Sequence, residues 1–346
     1  MATFVDWLQG SFPLETSHRF NHGQVIFVKP SGEVEHSVDR FRALQGSYDE
    51  SVRVIADGKR VRFSGNPTKW VLGHNLYGLS ATPAVGYAFA YEIARKLEGD
   101  PSGDEVAAWH EGGLRLTRID LTRMYRPPWA EPGWVPPWLR LAGAVAHSGK
   151  QRLENRSAYD SNSVYVGWRS RTIQTKLYDK AAEFLKHPVD PMVKDATPVD
   201  LEEYVRDTLR FEVQIRSPWL KRRNLLAMNS WSDDIAVAIL DEKVNDFALG
   251  DRLTLTEPEQ RGLPGRLLGI YLAWKNGEDV RVRYPRQTFY RYCKELLQYG
   301  IDIRGAPTRS DGNADSEDLA RPLRDYLAGG GLEPPPDDHR ILAFAA

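Results

Sequence analysis

The sequence predicts an α+β fold, with a central antiparallel sheet, helices on one face and a helical extension toward the C-terminus. Three observations carry that expectation. Much of the first half, and the stretch from 163 to 217, alternates apolar and polar residues at the period of a half-buried strand; the stretch from 219 to 304 is mostly helical in period; and no internal repeat is present. With 346 residues, 41% of them hydrophobic, the chain can bury a sizeable core.

The elements follow in order. "SVRVIADGKRVRFSG" (51–65) is two alternating runs around Asp57-Gly58, a hairpin signal because that dipeptide tolerates positive φ. "TPAVGYAFAYEIARKLEG" (82–99) is apolar at helical spacing, with Thr82 as cap, Pro83 in the first turn and Gly99 as terminator. "GLRLTRIDLTRMY" (113–125) returns to alternation, and the proline-dense "RPPWAEPGWVPPWLRL" (126–141) reads as a surface connection. Residues 163–186 read as two strands joined by a basic turn and running into a helix, and residues 200–217 as a short helix feeding a strand. The expected division is 1–230 for the sheet-bearing domain, 231–305 for the helical extension, and 306–346 for a flexible, acidic, Gly/Pro-rich tail.

Composition narrows the function classes. A net charge of −1 argues against coating nucleic acid by charge alone. The average hides a gradient, however: basic residues cluster at 167–176, 215–224 and 280–294, while acidic residues crowd the segment from 311 onward. Cys293 is the single cysteine, which excludes an internal disulfide and a cysteine-rich zinc site. No run of about 18 apolar residues and no secretory signal occurs, so the expected partners include no membrane and the expected location is the cytoplasm.

Three strands share a polar face. In "TLRFEVQIR", Leu209, Phe211, Val213 and Ile215 make the core side, which leaves Arg210, Glu212, Gln214 and Arg216 opposite. In "LTRIDLTR", Ile119 and Leu121 point inward and Arg118, Asp120 and Thr122 outward. In "TIQTKLYDKAAE", Lys176, Tyr178 and Lys180 share a side. Two readings fit each set. The tyrosine and its lysines suit a solubilising surface strand, or a nucleophile whose phenolate is stabilised by cations. The carboxylates suit pairing with Arg118, Arg210 or Arg216, or the holding of a divalent metal against a phosphate.

Five segments, "SGNPTKWVLGHNLYG" (64–78), "TRIDLT" (117–122), "TKLYDKAAE" (175–183), "LRFEVQIRSPWLK" (209–221) and "YPRQTFYRYCKELLQYGI" (284–301), resemble the gene II replication proteins of filamentous phages. More distantly the chain resembles plasmid rolling-circle initiators that lack a His-hydrophobic-His pair. The resemblance spans about residues 50 to 304 and leaves out the extreme N-terminus and the acidic tail. It implies that Tyr178 is the nucleophile, that Lys180 assists it, and that Asp120 and Glu212, with Glu183 and His74 as further candidates, bind Mg²⁺ or Mn²⁺. A histidine simply hydrogen-bonded within its loop is the other reading of His74. For DNA contact the candidates are Arg169, Arg171, Lys176, Arg210, Arg216, Lys221, Arg222, Arg286 and Arg291.

The implied activity is site- and strand-specific nicking of double-stranded phage or plasmid origin DNA through a 5′-phosphotyrosine, followed by religation of the single-stranded product. The chain has no G-x-x-x-x-G-K-[ST] loop, so unwinding falls to a host helicase and extension of the 3′ end to a host polymerase. A non-catalytic origin-binding repressor, and a plasmid relaxase or transposition nickase of the same chemistry, are the alternative readings.

Overall fold

A computed structural model of the chain describes residues 3–46, 50–78, 82–127, 131–136, 157–160, 163–167, 169–246, 257–276 and 278–299, with positions 138, 139, 142, 255, 301, 303, 331 and 332. In chain order the strands are β1 (Phe4–Pro13), β2 (Gln24–Val28), β3 (Val34–Asp39), β4 (Arg42–Gln45), β5 (Ser51–Ala56), β6 (Arg60–Gly65), β7 (Arg115–Tyr125), β8 (Ser157–Asp160), β9 (Ser163–Val166), β10 (Ile173–Asp179) and β11 (Leu209–Arg216). All but β2 and β3 join one antiparallel sheet in the order β4-β5-β6-β1-β7-β11-β10-β9-β8. The fold is α+β, as the alternation predicts.

Local chemistry sets these elements. Gly58 turns the β5–β6 hairpin at φ 105°. Leu209, Phe211, Val213 and Ile215 are all 0% exposed on one side of β11, and Ile119 and Leu121 continue that side on β7. The helices that matter to the site are α1 (Pro67–Leu72), α2 (Thr82–Glu98), α3 (Lys180–Lys186), α4 (Leu201–Val205), α5 (Ser217–Arg222), α6 (Asp233–Asp246), α7 (Gly265–Lys275) and α8 (Arg286–Leu297). Helix α2 lays Val85, Phe89, Ala90 and Ile93 on the apolar face, and α6 adds Ala236, Ile239 and Leu240 to the same core. The sheet-bearing body therefore extends past residue 230, because α6 buries its apolar residues against the sheet.

Two more expectations change. The proline-dense segment is no mere surface connection: Trp134, Val135, Trp138 and Leu139 are buried in the main core. Short helical turns between its prolines supply that packing. The tail from 306 lies outside the described residues except at Gly331 and Leu332, where Gly331 bridges Tyr125 and the Leu332 amide donates to the Met124 carbonyl. A separate core gathers Leu267, Ile270, Tyr271 and Trp274 of α7 with Phe289, Cys293 and Leu296 of α8. Cys293 is a buried helical residue, in keeping with its tyrosine neighbours.

The second face of the sheet is only partly roofed. At one end Phe4 and Met124 pack with Leu72, Leu76, Tyr77, Phe184, Leu201 and Val205, which brings α3, α4 and the loop after α1 over that end. The polar faces of β7, β10 and β11 run out from beneath this roof.

Candidate active site

Tyr178 sits near the end of β10, paired across to Arg210, while Lys176 pairs with Glu212. Glu212 in turn pairs with Thr122 on β7, and Gln214 with Asp120. The three strands thus bring Tyr178, Glu212 and Asp120 onto one face, as alternation predicts. The Tyr178 hydroxyl donates to Glu212 Oε2 over 3.5 Å. Lys176 Nζ lies 3.9 Å from the centre of the Tyr178 ring and 5.6 Å from that of Tyr165, so this lysine is shared by two aromatic rings.

Lys180 starts helix α3, whose N-cap Asp179 accepts from the Ala182 amide at 3.0 Å. This is the structural part expected of Asp179. Lys180 itself is buried, 6.0 Å from the Tyr178 ring centre, and donates to Glu183 Oε2 at 2.5 Å and to Asn75 Oδ1 at 3.2 Å. Burial, with Arg210 adding to it, brings its ammonium down to about 8 against the pull of Glu183.

Asp6 is the site residue that sequence reading missed. Strand β1 carries a bulge between Val5 and Trp7, and the extra residue is Asp6. The bulge aims its carboxylate at the polar face. There it pairs with Arg210 at 2.6 Å and accepts from Asn66 Nδ2 and Asn75 Nδ2, each at 2.9 Å. Burial opposes ionisation, but Arg210, Lys180 and the two amides hold the Asp6 carboxyl below its ordinary value. A sequence signal existed: the alternation of β1 slips between Val5 and Leu8, both buried, and an acidic residue sits at the slip.

Arg210 departs from its expected role as a DNA contact. It is 0% exposed, donating to the Asn75 carbonyl at 2.6 Å and pairing with Asp6. Alternation put it on the correct face, but the loop after α1 and Phe4 cover that face at this point. It is a buried cation beside the tyrosine, out of reach of DNA.

The carboxylates also divide. Asp120 is buried and held by Arg118 through two hydrogen bonds, one of 2.8 Å, with Gln214 as a further donor. The ion-pair reading of Asp120 is therefore realised. Burial raises the Asp120 carboxyl despite Arg118, and burial together with Asp6 and Asp120 pushes Glu212 up to about 7. Burial likewise pushes the Tyr178 hydroxyl well above its ordinary value, with Arg210 opposing the shift and Glu212 adding to it. Glu183 and His74 line a cleft with Asp6, Asn75 and Lys180. His74 is buried; its Nδ1 accepts from the Leu76 amide at 3.3 Å.

Among the described residues, no three His, Cys, Asp or Glu side chains form a ready metal-ligand group. Asp6, Asp120 and Glu212 are nonetheless oxygen donors of the kind that hard divalent ions take. Asp6 adds to the cost of ionising Asp120, and Asp6 and Asp120 together add to that of Glu212, a crowding that a divalent charge would relieve.

Apart from Lys176 beside Tyr178 and the buried Arg210, the basic candidates fall in two places. Arg169 and Arg171 in the β9–β10 turn, Arg216 at the end of β11, and Lys221 and Arg222 in α5 are exposed at one end of the sheet, where the Arg216 amide bonds the Thr172 carbonyl at 2.8 Å. This end lies about 17 Å along β10 from Tyr178, at the usual rise per residue. Arg286 and Arg291 are exposed on α8, next to Tyr290 and Tyr292 respectively.

Residues 4–234 match the family model for the N-terminal region of the phage replication-associated protein of the gene II type, and residues 266–315 match the model for its C-terminal region. The chain belongs to this replication-associated protein family. The match begins at Phe4, so the N-terminal strand with Asp6 is part of the family region, contrary to the expectation that the extreme N-terminus lay outside it. A replication-associated protein of the same type from Enterobacteria phage I2-2 is 27% identical over 330 residues, 92% of this chain and 93% of the relative. Among solved structures, a rolling circle replication initiator protein from Geobacillus stearothermophilus is similar over 70% of this chain and 79% of its own, at 15% identity and a TM-score of 0.29. Among the described residues of this family member, no helix is long and apolar enough to cross a membrane.

Proposed function

We propose that this chain initiates rolling-circle replication by nicking one strand of double-stranded phage or plasmid origin DNA through Tyr178. The observation that carries the reading is the surrounding of the Tyr178 hydroxyl: Glu212 accepts its hydrogen bond at 3.5 Å, Lys176 and Lys180 lie 3.9 and 6.0 Å from the centre of its ring, and Arg210 is its partner across the strands. A buried phenol is a poor nucleophile until its proton leaves and its phenolate is met by positive charge.

In the proposed reaction the hydroxyl proton leaves along the hydrogen bond toward Glu212. The Tyr178 oxygen forms a bond to the scissile phosphorus, the bond from phosphorus to the 3′ oxygen breaks, and that oxygen takes up a proton. The products are a 5′-phosphotyrosine and a free 3′-OH, the primer for a host polymerase. Attack of a 3′-OH on the phosphotyrosine reverses the bond changes and closes the displaced single strand, with Lys176, Lys180 and Arg210 stabilising the departing phenolate. The diester energy is kept in the phosphotyrosine, so closure needs no nucleotide. Asp6, Asp120 and Glu212 are the residues that would hold Mg²⁺ or Mn²⁺, and the ion when bound supplies neutralisation of charge on the phosphate. The exposed arginines and Lys221 at the β10–β11 end would hold the DNA backbone, and unwinding would fall to a host helicase.

The test incubates the protein with a supercoiled plasmid carrying its origin and Mg²⁺ or Mn²⁺. Relaxed circles and a covalent protein–DNA adduct are expected, both lost in Tyr178→Phe. Nicking that survives Tyr178→Phe defeats the proposal.

A further inference from the structure

A cleft of about 440 Å³ opens between β1, α1 and α3, beside the nucleophile. Its volume lies within the range of about 300–1,000 Å³ usual for small-ligand pockets. Lys180 belongs both to this cleft and to the surroundings of Tyr178, so an occupant of the cleft lies one side chain away from the reacting hydroxyl.

The charges in the cleft cancel in pairs. Asp6 is held by Arg210, Glu183 by Lys180, and Glu50 by Lys69. The asparagines are drawn into the same network: Asn66 and Asn75 both donate to Asp6, and Asn75 accepts from Lys180. With its lysines paired to carboxylates, such a lining offers little excess positive charge to recruit a bare phosphate. Its aromatic walls are Trp70 and Phe184, both buried, and Trp7, which is only partly buried. The Arg118 guanidinium stands 5.3 Å from the centre of the Trp7 ring, and Trp7 Nε1 donates to Ser64 at 3.3 Å, so that ring is fixed in place. A neutral cleft with a fixed, accessible indole suits a flat, uncharged aromatic ligand.

Tyr178 constrains what that ligand is. Its side chain is 6% exposed, set among strands β9, β10 and β11, so a phosphate within an intact stacked duplex cannot approach the hydroxyl. The scissile strand has to leave the helix, and enzymes that act on an extruded nucleotide hold its base in a pocket with aromatic walls. We propose that the cleft walled by Trp7 receives one unstacked nucleobase of the scissile strand, next to the phosphate that Tyr178 attacks. This inference rests on the nicking reading.

The test uses the full-length protein and single-stranded oligonucleotides spanning the nick position mapped from the covalent adduct, with one base at a time replaced by an abasic residue. In the wild type, one position flanking the nick is expected to slow adduct formation on the order of tenfold or more when its base is removed. In Trp7→Ala that same position becomes insensitive, and Trp7→Phe, which keeps a stacking ring, retains part of the effect. A second readout avoids cleavage and does not depend on the folding of Trp7 variants: in Tyr178→Phe, 2-aminopurine at that position is expected to be quenched on binding. If every flanking base is dispensable in the wild type, if Trp7→Ala keeps the full penalty, or if 2-aminopurine stays bright, the pocket is overturned while nicking stands. If no DNA yields an adduct, the nicking reading fails and the pocket falls with it.

Discussion

Tyr178 and Glu212 are diagonal neighbours on adjacent antiparallel strands, and the hydroxyl of one points at a carboxylate oxygen of the other over 3.5 Å. Replacing the acceptor by an amide keeps its shape and removes its affinity for a proton. Glu212→Gln is therefore expected to slow adduct formation at neutral pH by about 10²–10⁴-fold, the usual worth of a positioned acid or base. Rapid-quench measurement of adduct formation on single-stranded origin DNA checks this. A rate within a factor of a few of the wild type would remove Glu212 from the proton path.

The Asp6–Arg210 pair predicts a stability effect distinct from catalysis. Arg210 has no exposure, so Asp6→Ala leaves a buried guanidinium without its carboxylate. A loss of about 3–5 kcal/mol is expected in denaturant unfolding, as for other broken buried pairs. Removing both partners, in Asp6→Ala with Arg210→Met, is expected to cost less than the sum of the single changes, since the stranded charge is gone. Strict additivity would mean that the two side chains do not depend on each other.

These two relationships differ in how well the sequence shows them. The Tyr178–Glu212 face was legible because Leu177 on one strand, and Phe211, Val213 and Ile215 on the next, fix the inward side without ambiguity. The Asp57-Gly58 hairpin was legible for a similarly local reason, the need for positive φ. Asp6 was not, because the bulge after Val5 breaks the period by which a strand is recognised. The burial of Arg210 was not legible either: alternation tells which face a residue occupies, whereas its cover comes from Asn75, remote in the chain. The core role of Trp134 and Trp138 was hidden by the prolines around them, which argue against regular structure yet permit short helical turns.

The crowding of carboxylates at Asp6, Asp120 and Glu212 predicts a dependence on divalent ions. Chelation with EDTA is expected to stop nicking, and Mg²⁺ or Mn²⁺ to restore it. Asp120→Asn is expected to raise the metal concentration needed for half-maximal nicking by roughly tenfold or more, the loss of one charged ligand. Binding of DNA to the exposed Arg169, Arg171 and Arg216 end is expected to persist without metal, as measured by fluorescence anisotropy. An unchanged metal midpoint in Asp120→Asn would leave Asp120 only its pairing with Arg118.

Lys180 predicts how stability varies with pH. Its ordinary value of 10.5 applies to the unfolded chain, and burial lowers it to about 8 in the fold. Between those limits the unfolded chain holds a proton that the folded chain has released, so stability rises with pH; below about 8 both states are protonated and this contribution is flat. The slope from this one residue is at most about 1.4 kcal/mol per pH unit. Lys180→Met removes the titrating group while keeping a long side chain, and every other group titrates in both proteins. Denaturant unfolding from pH 7 to 9.5, below the range in which ordinary tyrosines ionise, is therefore expected to show the wild type gaining stability relative to the variant only above about 8. Parallel curves throughout would place Lys180 with an ordinary ammonium in water, and would break the link between its burial under Asn75 and its place beside the Tyr178 ring.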